Sequence, residues 1–339
     1  MTNSPETAAP PSPEPAATVG RLSGRQLPDW ASSRLRAAGI VIPFVLLFIV
    51  LTISSSSFAT KPNLLNILDQ QSAVLIIAAA GTLVLVAGGI DLSVGAVYAL
   101  AGVTAAELAQ HMAPTPAIII GVLVGFVVGL VNGIVATYLR INALIATLAM
   151  SFVISGVASL ITKGNLVVLF NHPGFGKLAR TEFITVKTSI WIMLIAVIIL
   201  GLFLARTTVG RYMYAAGGNA EAARIAGVRV NRVRVVSFML SGAAAALAGV
   251  IDASRVLSAQ SSSGESLTFT VLAGIVVGGT SILGGEGAVW RTVVGVLFIA
   301  LIGNGYDLLG LDPLYEQITL GGIMLLAVGI DAWARQRRA

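Results

Sequence analysis

Cysteine is absent from the 339 residues, so disulfides, thiolate metal sites and thiol nucleophiles are excluded together. Redox compartment cannot be read from cysteine usage for the same reason. Histidine is scarce: His111 and His172 stand 61 residues apart with no H-E-x-x-H spacing, which argues against a histidine-rich metal site. Charge is scarce too, at 11% of residues, while 56% are apolar. Soluble domains carry about 25% charged and about 45–50% apolar residues, so these values disfavour a soluble globular enzyme. They equally exclude disorder for the bulk of the chain. The 37 glycines follow no Gly-X-Y period, which rules out collagen and suits helices packed closely in a bilayer.

Hydrolytic and nucleotide-binding signatures are missing. No G-x-S-x-G elbow and no G-x-x-x-x-G-K-[ST] phosphate loop occurs. The run from Gly278 to Gly287 superficially resembles a phosphate cradle, but it lacks the lysine and falls at the end of an apolar stretch. A glycine-permitted turn between two spans accounts for it better. No span pairs two carboxylates at helical spacing with a His or Lys, which disfavours a proton-coupled transporter.

What the chain does have is apolar stretches close to the ~20 residues needed to cross a bilayer. Ten fall at 39–55, 73–90, 93–109, 117–138, 143–162, 188–205, 235–253, 267–285, 288–306 and 314–333. The pairs separated at 91–92 and 286–287 can each be a broken or re-entrant helix instead. The expected fold is therefore an all-α polytopic bundle of about ten transmembrane helices, some broken or re-entrant. Residues 1–36, rich in Pro, Ala and Ser, read as a disordered tail before a permease domain at 37–334, with a short basic tail at 335–339. With the N-terminus inside, the cytoplasmic side receives Arg21, Arg25, Arg34, Arg36, Arg140, Arg206, Arg211, Arg224, Arg229, Arg232, Arg234, Arg291, Arg335, Arg337 and Arg338, fifteen of 21 basic residues. The positive-inside rule thus favours two cytoplasmic termini. Two longer loops follow: an extracytoplasmic one at 163–187 and a cytoplasmic one at 206–234.

Within the spans, Gly121, Gly125, Gly129 and Gly133 recur every four residues and mark one helix stripe where another backbone can approach. Asp91 lies between Gly88-Gly89-Ile90 and Leu92-Ser93-Val94-Gly95, where it can cap the next helix or serve in gating. Asp91, Ser93, Asn132, Thr147, Ser151 and Asn304 form the candidate translocation path or gate. In the cytoplasmic loop, Asn219 is a good N-cap, Ala220 to Ala226 a strong helix former and Gly227 a good stop, which predicts a two-turn helix. Such a helix can dock into a partner's groove or be a plain solvated connector.

At this loop the sequence resembles the permease subunits of ATP-binding cassette importers, whose cytoplasmic coupling helix carries Glu-Ala-Ala followed by Gly; the matching residues are Glu221, Ala222, Ala223 and Gly227, with Asn219 and Arg224 beside them. From about residue 40 to the C-terminus it more closely resembles the ribose/xylose/galactoside-type monosaccharide permease family. The best-matched pieces are residues 88–95, Gly129 with Asn132-Gly133, residues 210–227, Ala253-Ser254-Arg255, Gly278 to Ser281 with Gly284, Gly285 and Gly287, and Asn304-Gly305. Departures are Asn142-Ala143 in place of a Pro-Pro-Phe-like stretch, Ser266 to Thr270 in place of a Tyr-Glu-Leu-Asp-like one, and Arg291-Thr292 where Gly-Thr is commoner. The resemblance implies a multi-pass subunit of the bacterial plasma (inner) membrane, surrounded by lipid, that imports a monosaccharide and performs no covalent chemistry. It implies a second permease subunit as homodimer or heterodimer, ATP-binding cassette ATPase subunits that hold ATP and magnesium, and an extracytoplasmic sugar-binding protein. No cofactor bound by this chain and no nucleic acid is expected. Permeases for branched-chain amino acids or nucleosides, and a secondary transporter independent of an ATPase, are the alternatives.

Overall fold

The computed structural model describes residues 29–336 apart from Arg140 and Pro313. Expectations that rest on residues 1–28, Arg140 or residues 337–339 lie outside the described residues. In chain order the elements are α1 (Asp29–Ser54), α2 (Lys61–Gln70), α3 (Ser72–Val86), α4 (Val94–Ala109), α5 (Pro114–Tyr138), α6 (Ala143–Thr162), β1 (Val167–Val168), α7 (Pro173–Arg180), β2 (Glu182–Phe183), β3 (Val186–Lys187), α8 (Thr188–Arg206), α9 (Thr208–Gly218), α10 (Ala220–Ile225), α11 (Val230–Val256), β4 (Ser258–Ala259), α12 (Leu267–Val277), α13 (Val289–Leu309) and α14 (Leu314–Gln336). The protein is a helical bundle; its strands are two-residue pairs, β1 with β4 and β2 with β3, both antiparallel.

Five of the described helices (α5, α6, α8, α11 and α13) are long and apolar enough to cross a membrane, and α2 with α3 makes a sixth if the two, bent by 51°, form one span. Gly39–Ser54, α4, α12 and Leu314–Leu326 are shorter apolar segments. Helix α1 starts at Asp29, inside the stretch read as a tail at 1–36. Its first residues after Pro28 include Ala31, Leu35, Ala37 and Ala38, good helix formers that continue the pattern of the first span.

Two expected spans stop early. The span read at 73–90 ends at Val86, and residues 87–93 are non-helical before α4 begins. The span read at 267–285 ends at Val277 and is only 11 residues long. Glycine is the cause in both cases: Gly88 and Gly279 adopt φ of 77° and 79°, the left-handed region that closes a helix.

Helix α11 is the central post. Its midsection packs on α5, where a Cβ on Gly125 would stand 2.2 Å from the Ala246 Cβ and one on Gly129 2.5 Å from the Phe238 carbonyl oxygen. Gly121 faces Val250 and Gly133 faces Val235 in the same manner. Missing side chains therefore set how closely the two helices approach. At one end of α11 lie α9 and α10. At the other lie α7 and the strand pairs, where Ser254 Oγ accepts from the Ala179 amide at 3.1 Å. At that end buried Asp69 accepts from Ser189 Oγ at 2.5 Å and Lys187 Nζ at 2.6 Å, fastening the end of α2 to the start of α8. The Thr82 and Thr292 hydroxyls, 2.7 Å apart, tie α3 to α13.

Candidate functional site

Helices α4 and α12, of 16 and 11 residues, start from the same level of the bundle and run in opposite directions. Their N-terminal ends touch: the Gly95 amide donates to Thr268 Oγ1 at 3.1 Å, and a Cβ on Gly264 would stand 1.9 Å from the Gly95 carbonyl oxygen. Nearby, Ser241 near the midpoint of α11 donates to Asp91. Non-helical chain inside a membrane-spanning bundle is tolerated only where protein or a wet cavity surrounds it, and discontinuous helices often frame a transport site.

A cavity of about 260 Å³ lies beside this meeting point. Helix α6 supplies Leu148, Ser151, Phe152 and Ser155; the chain entering α12 supplies Ser261, Glu265, Thr268 and Phe269; Leu92, Gly95 and Ala96 close the remaining side. The volume is below the roughly 300–1,000 Å³ of pockets for drug-sized ligands, and so suits a small solute. Thr147, Ser151, Ser155 and Ser159 are spaced four apart on α6 and form one hydroxyl stripe. Thr147 Oγ1 accepts from the Leu92 amide at 3.0 Å, and Ser159 Oγ donates to Ser261 Oγ at 3.1 Å. The stripe thus reaches from the break before α4 to the serine-rich chain before α12.

Of the candidate path residues, Asp91, Ser93 and Asn132 come together and Thr147 adjoins them, but they fasten the break and do not line the cavity. Asn132 Nδ2 donates to Ser93 Oγ at 2.6 Å; Ser93 Oγ donates to Asp91 Oδ1 at 2.6 Å; the Ser93 amide donates to the same oxygen at 3.0 Å; Ser241 Oγ donates to Asp91 Oδ2 at 2.8 Å. The N-cap of α4 is Ser93, and Asp91 takes the Ser93 amide from two residues upstream. Such a network satisfies a buried carboxylate that would otherwise be costly inside the bundle. Ser151 lines the cavity. Asn304 lies elsewhere, exchanging two 3.0 Å hydrogen bonds with Asn63 that clasp α13 to α2. The cavity adds Ser155, Ser261, Glu265 and Thr268 to the residues expected from the sequence, where only the four-residue hydroxyl spacing on α6 points to them.

At the α9–α10 end, Asn219 Oδ1 accepts from the amides of Glu221 and Ala222 at 3.1 and 3.0 Å, capping the six-residue α10. Gly227 follows with φ of 85°. Ala223 is buried against the bundle, while Glu221 and Arg224 face outward and pair with each other at 3.2 Å. Behind α10, Tyr214 of α9 donates to the Gly287 carbonyl at 2.8 Å. Burial raises the pKa of this phenol, with Arg291 acting against the shift, so it remains a donor at neutral pH.

Five of the described helices, or six with the bent α2–α3 pair, are long and apolar enough to cross a membrane, as a membrane permease requires. The chain belongs to the family described as the branched-chain amino acid transport system / permease component, whose model matches residues 63–328. It is 40% identical over 299 residues to the ribose import permease protein RbsC of Bacillus subtilis, covering 88% of this chain and 93% of that protein. It is 35% identical over 322 residues to the ribose import permease protein RbsC of Escherichia coli, covering 93% and 98%. The L-arabinose ABC transporter permease protein AraH of Azospirillum brasilense is 34% identical over 334 residues, covering 97% and 96%. No solved structure matches the chain.

Proposed function

We propose that this chain is the membrane-spanning subunit of a bacterial ATP-driven importer that translocates a monosaccharide (a pentose, hexose or related polyol) across the inner membrane by alternating access. The observation that carries the reading is the cavity at the meeting of α4 and α12. Its polar lining is hydroxyls and one carboxylate, Glu265, a set that bonds a neutral polyol without requiring a charged anchor on the solute. Relatives named for ribose and arabinose import support the same solute class.

In this reading both termini are cytoplasmic, ten apolar segments cross or enter the membrane, and residues 206–234 face an ATPase while residues 163–187 face a solute-binding protein. Helix α10 is the contact that receives the ATPase stroke, with Asn219 fixing its start and buried Ala223 its seat. The ATPase subunits hold ATP and magnesium, a second permease subunit completes the path, and lipid covers the exposed apolar faces of α5, α6 and α8. Closure of the ATPase then shifts the bundle between outward-open and inward-open states.

The test is uptake into proteoliposomes holding the permease, its ATPase and its binding protein, with labelled ribose, arabinose, galactose and leucine compared. ATP-dependent accumulation of a sugar and none of leucine is expected. Accumulation of leucine alone would replace the sugar reading with the amino-acid one that the family's description names. Uptake that persists without the ATPase would make the protein a secondary transporter.

A further inference from the structure

Three stretches of backbone, far apart in sequence, meet at the end of the bundle that carries α9 and α10, and all three are glycine. Gly88 closes α3, Gly217 and Gly218 close α9 directly before α10, and Gly284 and Gly285 lie in the turn after α12. The Gly285 amide donates to the Val86 carbonyl at 3.0 Å. A Cβ on Gly217 would stand 1.9 Å from the Val86 carbonyl oxygen and 2.6 Å from the Gly285 nitrogen. One on Gly284 would stand 2.9 Å from the Gly88 Cα, and one on Gly285 2.6 Å from the Gly218 Cα. The backbones touch with no side chain between them, so displacing one segment displaces the others. Two side chains fasten the same junction: Tyr214 holds the Gly287 carbonyl, and Arg234 Nε of α11 donates to the Ala87 carbonyl at 3.1 Å.

The two transmembrane elements that end here end alike. The Gly88 and Gly89 amides donate to the Leu85 and Val84 carbonyls, and the Gly279 and Thr280 amides donate to the Val276 and Ile275 carbonyls. Each then leads to the cavity by a different route. From Gly88 the chain runs through Asp91 to the start of α4 at Gly95. From the turn after α12 the route runs back along α12 itself, a rigid rod of roughly 16 Å at about 1.5 Å per residue, to Thr268 in the cavity wall.

We propose that this glycine junction is the transmission between α10 and the solute cavity, and that Tyr214 and Arg234 are positioning residues that keep it engaged. The inference rests on the coupling role of α10 given above and adds where its motion goes. A push on α10 moves Gly217, which moves Gly88 and Gly284 together. The N-terminal ends of α4 and α12 then shift against each other, opening or closing the wall they share.

The test uses the assembled importer in proteoliposomes. Because the chain has no cysteine, a single Ser155→Cys reports on the cavity through its labelling by a membrane-impermeant maleimide, with and without ATP. Against this background the Tyr214→Phe/Arg234→Gln double variant is compared with Glu221→Arg in α10. The double variant is expected to assemble and keep basal ATP hydrolysis, to lose the ATP-dependent change in labelling, and to transport about ten- to hundredfold less solute per ATP, the scale of two lost hydrogen bonds at up to about tenfold each. Labelling that still switches with ATP, and unchanged transport per ATP, in the double variant while Glu221→Arg uncouples would overturn the junction and leave the coupling role of α10 intact. If Glu221→Arg also transports normally, the coupling role itself fails and the junction with it. Should the double variant not assemble, Tyr214→Phe alone, which removes one hydroxyl and keeps the ring, decides: a wild-type ATP response there overturns the proposal for Tyr214.

Discussion

Gly125 of α5 and Gly242 of α11 touch backbone to backbone: a Cβ on Gly125 would stand 2.6 Å from the Gly242 carbonyl oxygen, and one on Gly242 2.3 Å from that of Gly125. No side chain fits without parting the two helices. Gly242→Val is therefore expected to lower stability by at least the ~1–3 kcal/mol typical of overpacking, read as a lower midpoint of thermal unfolding in detergent. Gly156→Ala on α6, where nothing lies within 4 Å, is the matched control. It should leave the midpoint unchanged or raise it.

The Asp91 network predicts a contrast between two substitutions. Asp91→Ala leaves the Ser93 amide and the Ser241 hydroxyl without their acceptor, at about 1–3 kcal/mol for each buried group left unsatisfied. Asp91→Asn keeps the shape and one acceptor oxygen, and a serine hydroxyl can turn to accept from the new amide. Yield of monodisperse protein should fall sharply for Ala and stay near wild type for Asn.

The hydroxyl stripe on α6 separates filling the cavity from losing a hydrogen bond. Ser155→Leu is expected to cut solute uptake by more than an order of magnitude, with assembly and basal ATP hydrolysis retained, because the isobutyl group projects into a space of only about 260 Å³ and removes a hydroxyl from its polar wall. Ser155→Ala should cost no more than the about tenfold that one hydrogen bond accounts for. Equal uptake by Ser155→Leu and wild type would remove this cavity from the path.

Glu221 pairs with Arg224 in the open, and an exposed pair of this kind contributes roughly 0–1 kcal/mol. Glu221→Arg should therefore leave thermal stability unchanged and abolish transport that depends on ATP. Gly227→Val places a β-branched residue at φ of 85° and is expected to cost about 1–2 kcal/mol as well as to uncouple.

Legibility in the sequence followed the local physics. Helix α6 occupies the expected 143–162 because the Asn142 side chain caps it, accepting from the Leu144 amide, and nothing inside interrupts it. Helices α3 and α12 end short of the apolar stretches that hold them because Gly88 and Gly279 stop them while Ile90, Ile282 and Leu283 keep the hydropathy high beyond the stop. Helix α2 carries no apolar signature because Lys61, Asn63, Asn66 and Asp69 break its run, and Asn63 and Asp69 find distant partners only through the fold. The capped coupling helix was readable since Asn219 and Gly227 act on their own neighbours. The cavity was not, because it joins α6 to a turn about a hundred residues away. Asn304 shows the same limit: nothing near it in sequence announces Asn63.

That clasp also constrains how the protein is made. Asn63 and Asn304 are separated by 241 residues. At the roughly 5–20 residues per second of chain synthesis, Asn304 emerges roughly 12–50 s after Asn63. Throughout that interval the α2 amide must be kept wet or held by something other than its eventual partner. The join between α2 and α13 therefore forms late, after every helix from α3 to α12 has been made.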